Sequence, residues 1–293
     1  MLYILYNSLS KTGKKNRLIQ QIVKKAIKTF KMNEYKLLNL IQITQPQNFI
    51  KILNQYKDIV IIIGGDGTLY KIANEIYNIE NLPKIYCYKA GTGNDFLRSI
   101  KEINTTEVIE KKFFLLNPYL KSLPVIQWNN NNNKNVFLNG TGIGLDAHIA
   151  NGLNEAKNAK SQRSFFKFAY KEFKNFKAYD TVVVKIDGKE IIFKDVLLIS
   201  IMNGKYYGGG MKIAPYANRL SNTLDIIIFS QLSKAKLITL FPLVYTGLHK
   251  KIKGVNILRG TNIEVYLDRK EIMQIDGEIY QDVQSVKISK DLN

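Results

Sequence analysis

The chain has 293 residues, of which 45% are hydrophobic, and a formal net charge of +19 at pH 7. This length suits two domains or one large domain. No apolar run approaches the roughly 20 residues of a membrane-spanning helix, and no signal-peptide pattern opens the chain, so we expect a soluble globular protein. The single cysteine, Cys87, excludes an intrachain disulfide and fits a reducing cytoplasm.

The positive charge arises from 43 Lys and Arg against 24 Asp and Glu. Such a field attracts polyanions, namely nucleic acid, phosphorylated substrates or an anionic lipid surface. An alternative is that the charge follows from an AT-rich gene, which enriches Lys, Asn and Ile. Charge therefore indicates an anionic partner without choosing one.

Strand and helix patterns alternate through the first hundred residues. The predicted strands are Leu2–Tyr6, 35–41, 58–63 and 83–88. The segments with helical spacing of apolar residues are 14–30, 47–56, 68–79 and 94–100. Four such units predict right-handed crossovers and a parallel sheet covered on both faces. We therefore predict an N-terminal α/β, Rossmann-like nucleotide domain.

The pattern changes after Leu123-Pro124. An asparagine run at 129–133 indicates a solvated hairpin loop, and most of the chain beyond that run is rich in strand-forming residues. We predict an α/β domain of residues 1–124 and a β-sandwich domain of residues 125–283, with helical segments near 151–178 and 232–250. An alternative for the last strand, about 284–293, is a return to the first domain.

The third predicted strand runs directly into Gly64-Gly65-Asp66-Gly67-Thr68. In an open parallel sheet ligands bind at the carboxyl ends of the strands, where glycines let backbone N–H groups approach phosphate oxygens. Thr68 begins a helix whose N-terminus adds positive partial charge. Asp66 is placed to hold magnesium or to orient a nucleophile. The alternative is a structural turn in which Asp66 only caps the helix.

A second glycine-rich turn, Gly91-Thr92-Gly93-Asn94-Asp95, follows the fourth strand. Turns that follow successive strands would face one crevice, which brings Asp66 and Asp95 near a single metal ion. A nucleoside triphosphate with magnesium fits this arrangement. The turn after the first strand, which contains Asn7, lacks the upstream glycine of the Walker A pattern, so a P-loop NTPase is not predicted.

With these turns the chain resembles the diacylglycerol kinase catalytic-domain family, in its bacterial soluble, YegS-like branch. The resemblance covers essentially the whole chain. The matching segments, in order, are 7–13 without the family's proline, GGDGTL at 64–69, GTGNDFLR at 91–98, GTGIGLDAHIA at 140–150, NGKYYGGGMKIAPYA at 203–217 and DGE at 276–278. Ser221-Asn222 replaces the Asp-Gly of a structural magnesium loop, so we do not predict that ion here.

The resemblance implies a two-domain enzyme, related in fold to NAD kinase, with ATP in the interdomain cleft and a lipid hydroxyl as phosphate acceptor. The implied nucleotide contacts are Asn7, Thr44, Gly64, Gly65, Asp66, Gly67, Thr68, Leu69, Tyr70, Gly91, Thr92, Gly93 and Asn94. Asp66 and Asp95 would act on magnesium through water. Glu278 would accept the proton, with Asp276 beside it; on its own, their DGE tripeptide would be read as a hairpin turn.

Two further segments bear on the membrane. Residues 161–179 place Phe165, Phe168, Phe173 and Phe176 among Arg163, Lys167, Lys171, Lys174 and Lys177. On a helix this pattern suits docking on anionic lipid, and the alternative is that the phenylalanines pack on the β domain. Residues 237–248 predict a core helix kinked at Pro242. His148 and His249 are isolated in sequence, so a histidine metal site is not expected.

We therefore predict an ATP- and magnesium-dependent lipid kinase, cytoplasmic and peripherally bound to an anionic membrane surface, that converts diacylglycerol into phosphatidic acid. One alternative is a different lipid acceptor, namely phosphatidylglycerol, ceramide or a sphingoid base. A second is NAD kinase, which shares the first glycine turn but not the second. A nucleic-acid-binding protein is suggested by charge alone, and we predict no nucleic-acid partner. A homodimer stays open.

Overall fold

A computed structural model describes residues 1–10, 12–90, 94–130, 134–157, 170–172 and 174–290. The chain divides into two compact units between Leu123 and Pro124, one residue from the predicted boundary at 124/125. Each unit has its own hydrogen-bonded sheet. Within the described residues, no helix combines the length and the apolar character that a bilayer crossing requires.

The first unit is an α/β domain built on a six-stranded sheet. Its strands are β1 (Leu2–Tyr6), β2 (Tyr35–Asn39), β3 (Ile59–Ile63), β4 (Lys84–Tyr88), β5 (Val108–Ile109) and β6 (Phe113–Leu115), in the order β2-β1-β3-β4-β6-β5. Its helices are α1 (Asn16–Phe30), α2 (Pro46–Lys51), α3 (Asp66–Ile76), α4 (Asp95–Lys101) and α5 (Asn117–Leu120), with a short 3-10 helix at Leu40–Gln42. The four strands β2, β1, β3 and β4 are parallel, so their carboxyl ends lie at one edge.

Helix α1 illustrates why the predicted pattern produces this layer. Its buried residues Ile19, Ile22, Val23 and Ala26 recur at helical spacing and share one core cluster with β1, β3 and β4. Helix α2 is shorter than predicted and ends at Lys51. Beyond it the Asn54 side chain accepts hydrogen bonds from two following backbone N–H groups, which favours a turn over continued helix.

The second unit is dominated by antiparallel β-structure. Its strands are β7 (Val125–Trp128), β8 (Asn135–Val136), β9 (Gly140–Gly144), β10 (Tyr179–Ile186), β11 (Lys189–Met202), β12 (Leu224–Ser230), β13 (Val255–Gly260), β14 (Asn262–Ile275) and β15 (Glu278–Ser289). The sheet order is β13-β12-β11-β10-β14-β15-β7-β8, and β9 pairs with both β11 and β14. Its helices include α6 (Leu145–Lys157) and α7 (Lys234–Thr246), and a 3-10 helix follows at Leu248–Lys251.

The long strands β11 and β14 organise this sheet. The first part of each strand pairs with β10, and the last part pairs with β9. Strand β15 pairs with β14 and β7, so the last strand belongs to this sheet and does not return to the first domain.

Helix α7 differs from the predicted core helix. It buries Leu237, Leu240 and Val244 on one side and exposes Ile238 and Tyr245 on the other. Because α7 packs on one side, its other side stays exposed. The hydrophobic composition of the segment did not reveal which side that would be.

Candidate active site residues

The turn between β3 and α3 leaves open space beside its backbone. A side chain on Gly64 would collide with Thr68, since its Cβ would lie 2.5 Å from the Thr68 Cβ. Packing therefore explains this glycine. At Gly65 and Gly67, leaving aside the adjacent residues and the backbone of α3, no described atom lies within 4 Å of the corresponding Cβ position. Packing does not explain those two glycines, and the space beside them at the start of α3 suits a bound phosphate.

Asp66 connects this turn to the helix that follows β4. Its Oδ2 accepts a hydrogen bond of 2.9 Å from the backbone N–H of Asp95, and its Oδ1 accepts one of 3.0 Å from that of Phe96. The first glycine-rich turn therefore lies beside the start of α4. The carboxylate caps α4, a role that the simple capping alternative did not include.

Asn94 immediately precedes α4 and is buried. Its Oδ1 accepts a 2.7 Å hydrogen bond from the N–H of Leu97 and so caps the helix. Its Nδ2 is buried without a hydrogen-bond partner among the described residues. Leaving a buried donor unsatisfied costs about 1–3 kcal/mol, so this atom is suited to an acceptor supplied by a ligand. The preceding turn residues Gly91, Thr92 and Gly93 lie outside the described residues.

The remaining predicted nucleotide contacts are distributed along the same edge. Asn7 donates through Nδ2 to Thr68 Oγ1 at 3.3 Å, which joins the β1 turn to α3. Thr44 lies in the bend before α2, beyond the carboxyl end of β2, and is exposed. The side chains of Leu69 and Tyr70 are buried in α3, so packing accounts for both.

Groups that could hold a metal are sparse in the described part of the first unit. Asp95 is buried, and its Oδ1 lies 3.8 Å from Arg98 Nη1. Burial, and next the charge of Asp66, raises the pKa of Cys87, so this thiol stays protonated at neutral pH. No group of three or more His, Cys, Asp or Glu side chains within the described part of the chain could hold a metal ion.

In the second unit Asp276 and Gly277 form the two-residue turn between β14 and β15. Ile275 pairs with Glu278 across it, and the φ angles of 47° and 91° belong to the left-handed region required by the tightest hairpin turns. The tripeptide is therefore a hairpin turn in structure. Glu278 is the first residue of β15 and is half-buried.

The Asp276 carboxylate is held by a neighbouring backbone segment. It accepts hydrogen bonds from the N–H groups of Leu138, Asn139 and Gly140 at 2.5, 2.8 and 3.2 Å. The backbone N–H of Asp276 in turn donates to the carbonyl of Gly140 at 3.0 Å. A carboxylate with three backbone donors is suited to fixing the turn, so the geometry favours a positioning role for Asp276.

Gly277 is held from two further directions. Its N–H donates to Gln274 Oε1 at 2.9 Å, and its carbonyl accepts from Asn154 Nδ2 of α6 at 3.0 Å. The backbone that carries Glu278 is thus fixed by contacts to β14, to α6 and to the 138–140 segment. Such over-determined backbone is typical of a pre-organised functional group.

Two buried basic side chains, Arg219 and Lys290, help to hold the 138–140 segment. The sequence did not indicate that either would be buried. Arg219 donates to the Leu138 carbonyl and, at 2.5 Å, to Asn139 Oδ1. Lys290 donates to Asn203 Oδ1 at 2.7 Å and to the Arg219 carbonyl at 2.9 Å. Burial, and next the charge of Arg219, lowers the pKa of Lys290 to about 8. A lysine at the end of a β-strand pattern is usually solvated, so sequence offered no signal for Lys290.

A further buried polar group, Asp146, contacts β14 near the hairpin. Asp146 Oδ2 is 3.5 Å from Gln274 Nε2, and its Oδ1 accepts from the N–H of Ala147. Burial raises the pKa of Asp146 to about 7. His148 is not isolated, since its Nε2 lies 2.7 Å from Glu271 Oε1, and this hydrogen bond raises the pKa of His148.

The predicted basic and aromatic segment is described only in part. Phe176 is buried and packs edge-on against His148 and Tyr179, which agrees with the packing alternative for this residue. Phe165, Phe168, Phe173, Arg163 and Lys167 lie outside the described residues, so a membrane contact there stays a prediction.

Comparison with known proteins decides the family. A sequence model of the diacylglycerol kinase catalytic domain matches residues 1–114. A model of the YegS C-terminal NAD kinase beta sandwich-like domain matches residues 140–288. The chain belongs to the YegS-like, diacylglycerol kinase catalytic-domain family. The predicted family, the fold class of an α/β domain followed by a β-rich domain, and the enzyme class are thereby confirmed, and the chain is a lipid kinase.

Individual relatives agree with this assignment. YtlR of Bacillus subtilis, provisionally named a lipid kinase, is 30% identical over 247 residues, which cover 78% of this chain and 77% of YtlR. The Bacillus subtilis protein named diacylglycerol kinase is 21% identical over 222 residues, which cover 75% of this chain and 71% of that protein. A crystal structure of a diacylglycerol kinase from Bacillus anthracis str. Sterne matches with a TM-score of 0.68 and 20% identity, covering 99% of this lipid kinase and 93% of that chain. That likeness shows a shared fold.

Proposed function

We propose that this lipid kinase transfers the γ-phosphate of ATP to the hydroxyl of diacylglycerol and releases phosphatidic acid and ADP. The observation that carries the proposal is the pair of hydrogen bonds that the Asp66 carboxylate accepts from the first backbone N–H groups of α4, beside the open backbone at Gly65 and Gly67. This arrangement places a carboxylate among the backbone donors of two helix starts. The choice of diacylglycerol is supported by the names of relatives such as the Bacillus subtilis diacylglycerol kinase.

Three features of the first unit fit the phosphates of ATP. The open space at Gly65 and Gly67 allows phosphate oxygens close to the backbone. The N-terminus of α3 contributes partial positive charge toward the same point. The buried Asn94 Nδ2, which has no partner among the described residues, supplies an amide donor. All three favour a polyphosphate over an uncharged ligand.

The acidic residues of this unit fit magnesium bound together with phosphate. Mg²⁺ is commonly held by one or two carboxylates plus water and substrate phosphate oxygens. Each carboxylate oxygen can accept more than one bond, so Asp66 can hold water or metal while it caps α4, and Asp95 lies beside it. When bound, the ion would neutralise charge on the phosphates during transfer. Because the described side chains form no all-protein cage, Asp66 and Asp95 would hold it only alongside nucleotide.

We assign Glu278 as the group that takes the proton from the lipid hydroxyl. As the hydroxyl oxygen forms its bond to the γ-phosphorus, the bond from that phosphorus to the bridging oxygen of ADP breaks, and the hydroxyl proton moves to the Glu278 carboxylate. The fixed backbone at Asp276 and Gly277 would keep that carboxylate in one place. Asp276 itself acts by positioning in this scheme.

The test is transfer of labelled γ-phosphate from ATP and magnesium to diacylglycerol, phosphatidylglycerol, ceramide and sphingosine in mixed micelles, with NAD in a parallel aqueous reaction. We expect label in diacylglycerol, and its loss in Glu278→Gln. Glu190→Gln is a matched control, because Glu190 is an exposed glutamate of the same unit that pairs with Lys185 across a hairpin. Label in another lipid would change the acceptor, and label in NAD alone would overturn the proposal.

We also propose that this lipid kinase works as a peripheral protein on the cytoplasmic face of an anionic membrane. Its acceptor is a bilayer lipid, and its charge of +19 favours such a surface.

A further inference from the structure

The outward side of α7 is apolar and uncharged. No charged residue occurs from Leu237 to Leu248. The described exposed residues of the helix within that stretch are Ile238, Thr239, Pro242, Tyr245 and Thr246. Ile238 and Tyr245 are 43% and 38% exposed, and Leu248 just beyond the helix is 48% exposed. Most surface helices of a highly charged protein carry lysines or acids on such a face, so this one stands apart.

The segment that carries this face is strongly basic. Residues 203–260 contain nine basic residues, which are Lys205, Lys212, Arg219, Lys234, Lys236, Lys250, Lys251, Lys253 and Arg259. The same segment contains one acidic residue, Asp225, which is buried and bonded to Arg259 at 2.6 Å. The exposed lysines Lys251 and Lys253 lie within five residues of the end of the apolar stretch at Leu248. An apolar face bordered by cations is complementary to an anionic surface with an apolar interior.

Tyr216 links the apolar and basic parts. Tyr216 is 52% exposed, and the centroid of its ring lies 4.2 Å from Lys250 Nζ and 5.8 Å from the Arg259 guanidinium carbon. Arg259 Nη2 also donates to the Tyr216 carbonyl at 2.9 Å. The segment leading to Tyr216 is tied to α7, because the Lys212 N–H donates to the Val244 carbonyl at 3.0 Å. An exposed tyrosine between cations suits the headgroup level of a bilayer.

We infer that the surface formed by Ile238, Tyr245, Leu248, Tyr216 and Lys250–Lys253, which we name the α7 surface, docks this kinase on anionic lipid bilayers. Ile238, Tyr245 and Leu248 enter the acyl boundary, and the lysines contact lipid phosphates. A nucleic acid would leave the apolar face unused, and a neutral protein partner would leave the cations unused. The inference deepens the proposed function and rests on it for the lipid substrate, but its binding test needs no catalysis.

The test is cosedimentation of the full chain with vesicles of phosphatidylcholine plus phosphatidylglycerol, without ATP. The double variant Lys251→Glu/Lys253→Glu removes charge, and Ile238→Ser/Leu248→Ser removes apolar area. The matched control is Lys36→Glu/Lys57→Glu, which makes the same charge change at exposed positions of the first unit. We expect ~30-fold weaker binding for the lysine variant and about tenfold for the apolar variant, with the control close to wild type.

A separate reporter protects the test against misfolded variants. Leu248→Trp keeps the surface apolar, and we expect its fluorescence to shift to the blue on anionic vesicles relative to wild type, which carries Trp128 alone. We also expect the lysine variant to lower the ratio of phosphate transfer to vesicle-borne over dissolved short-chain diacylglycerol. Absence of any phosphorylation would count against the proposed function while the vesicle result still decided the α7 surface.

Several outcomes would overturn the inference. These are wild-type binding by both surface variants, an equal loss in the control, no binding of the wild-type chain to anionic vesicles, or no shift for Leu248→Trp. Sedimentation velocity without lipid tests whether a second copy of the chain occupies the α7 surface. If wild type is a dimer that dissociates in Ile238→Ser/Leu248→Ser, and vesicle binding is unchanged, the surface would be assigned to a second copy of the chain. If the surface variants lost binding to a DNA duplex but kept vesicle binding, the α7 surface would be assigned to nucleic acid.

Discussion

Asp66 Oδ2 lies 2.9 Å from the backbone nitrogen of Asp95, and this hydrogen bond joins two turns that are 29 residues apart in sequence. The same carboxylate holds the next N–H of α4 through its other oxygen. The residue proposed to act on magnesium therefore also holds the start of α4. Structural and functional effects of changing Asp66 should be separable by measuring both.

We predict that Asp66→Asn lowers phosphate transfer by about 100-fold or more and destabilises the chain. The amide group can accept from only one of the two α4 N–H groups, and an unsatisfied buried N–H costs about 1–3 kcal/mol. Loss of a pre-organised charge in a phosphoryl-transfer site accounts for the larger kinetic effect. Urea unfolding measures the loss of stability, and transfer of labelled phosphate measures the loss of activity. Asp180→Asn, at an exposed position of β10, is the charge-matched control, and an unimpaired Asp66→Asn enzyme would contradict the assignment.

The two acids of the β14–β15 hairpin should respond differently to substitution. We predict that Glu278→Gln lowers kcat by about 100- to 10,000-fold, as expected for loss of a general base, with nucleotide affinity and unfolding free energy close to wild type. We predict that Asp276→Asn lowers the free energy of unfolding by about 1–3 kcal/mol, since it disturbs three backbone hydrogen bonds. Equal loss of stability in both variants would refute this division of roles.

Lys290 should produce a stability effect at alkaline pH. Its pKa is lowered from the ordinary 10.5 to about 8 in the folded chain. Between these values the unfolded chain holds a proton that the folded chain has released, so the Lys290 contribution to stability rises with pH. We predict that wild type gains up to about 3 kcal/mol relative to Lys290→Met as the pH increases across this window. Parallel unfolding curves at each pH check this, and a constant difference would show that the pKa of Lys290 is ordinary.

Asp146 should produce an effect of opposite sign at lower pH. Its pKa is raised by burial from 3.8 to about 7, so between these values the folded chain binds a proton that the unfolded chain lacks. The Asp146 contribution to stability therefore falls as the pH rises from about 4 to 7. We predict that Asp146→Asn gains melting temperature relative to wild type over this range, while the two proteins are similar near pH 4. A rise in the melting temperature of wild type relative to Asp146→Asn over this range would contradict the effect of burial assigned to Asp146.

Much of the fold and part of the site could be predicted from the sequence. The alternating strand and helix patterns predicted the parallel sheet because burial on both faces of a strand and on one face of a helix leaves a local period in the chain. The glycine turns, and with them the family, were readable for the same reason: the residues that matter are neighbours in sequence. The closeness of Asp66 to the start of α4 followed from the order of the strands alone.

The tertiary structure decided which groups these turns meet. Asp276 is bound by an N–H group 136 residues away, Lys290 is buried against Asn203 and Arg219, and Ile238 is exposed although its segment is apolar. Asp66 caps α4, the helix after the next strand. Such contacts depend on which strands and helices become neighbours after folding, and a lysine or an isoleucine has the same local pattern whether it is covered or not. Sequence by itself therefore determined the elements and the family of this protein, while long-range packing determined how its charged groups are held.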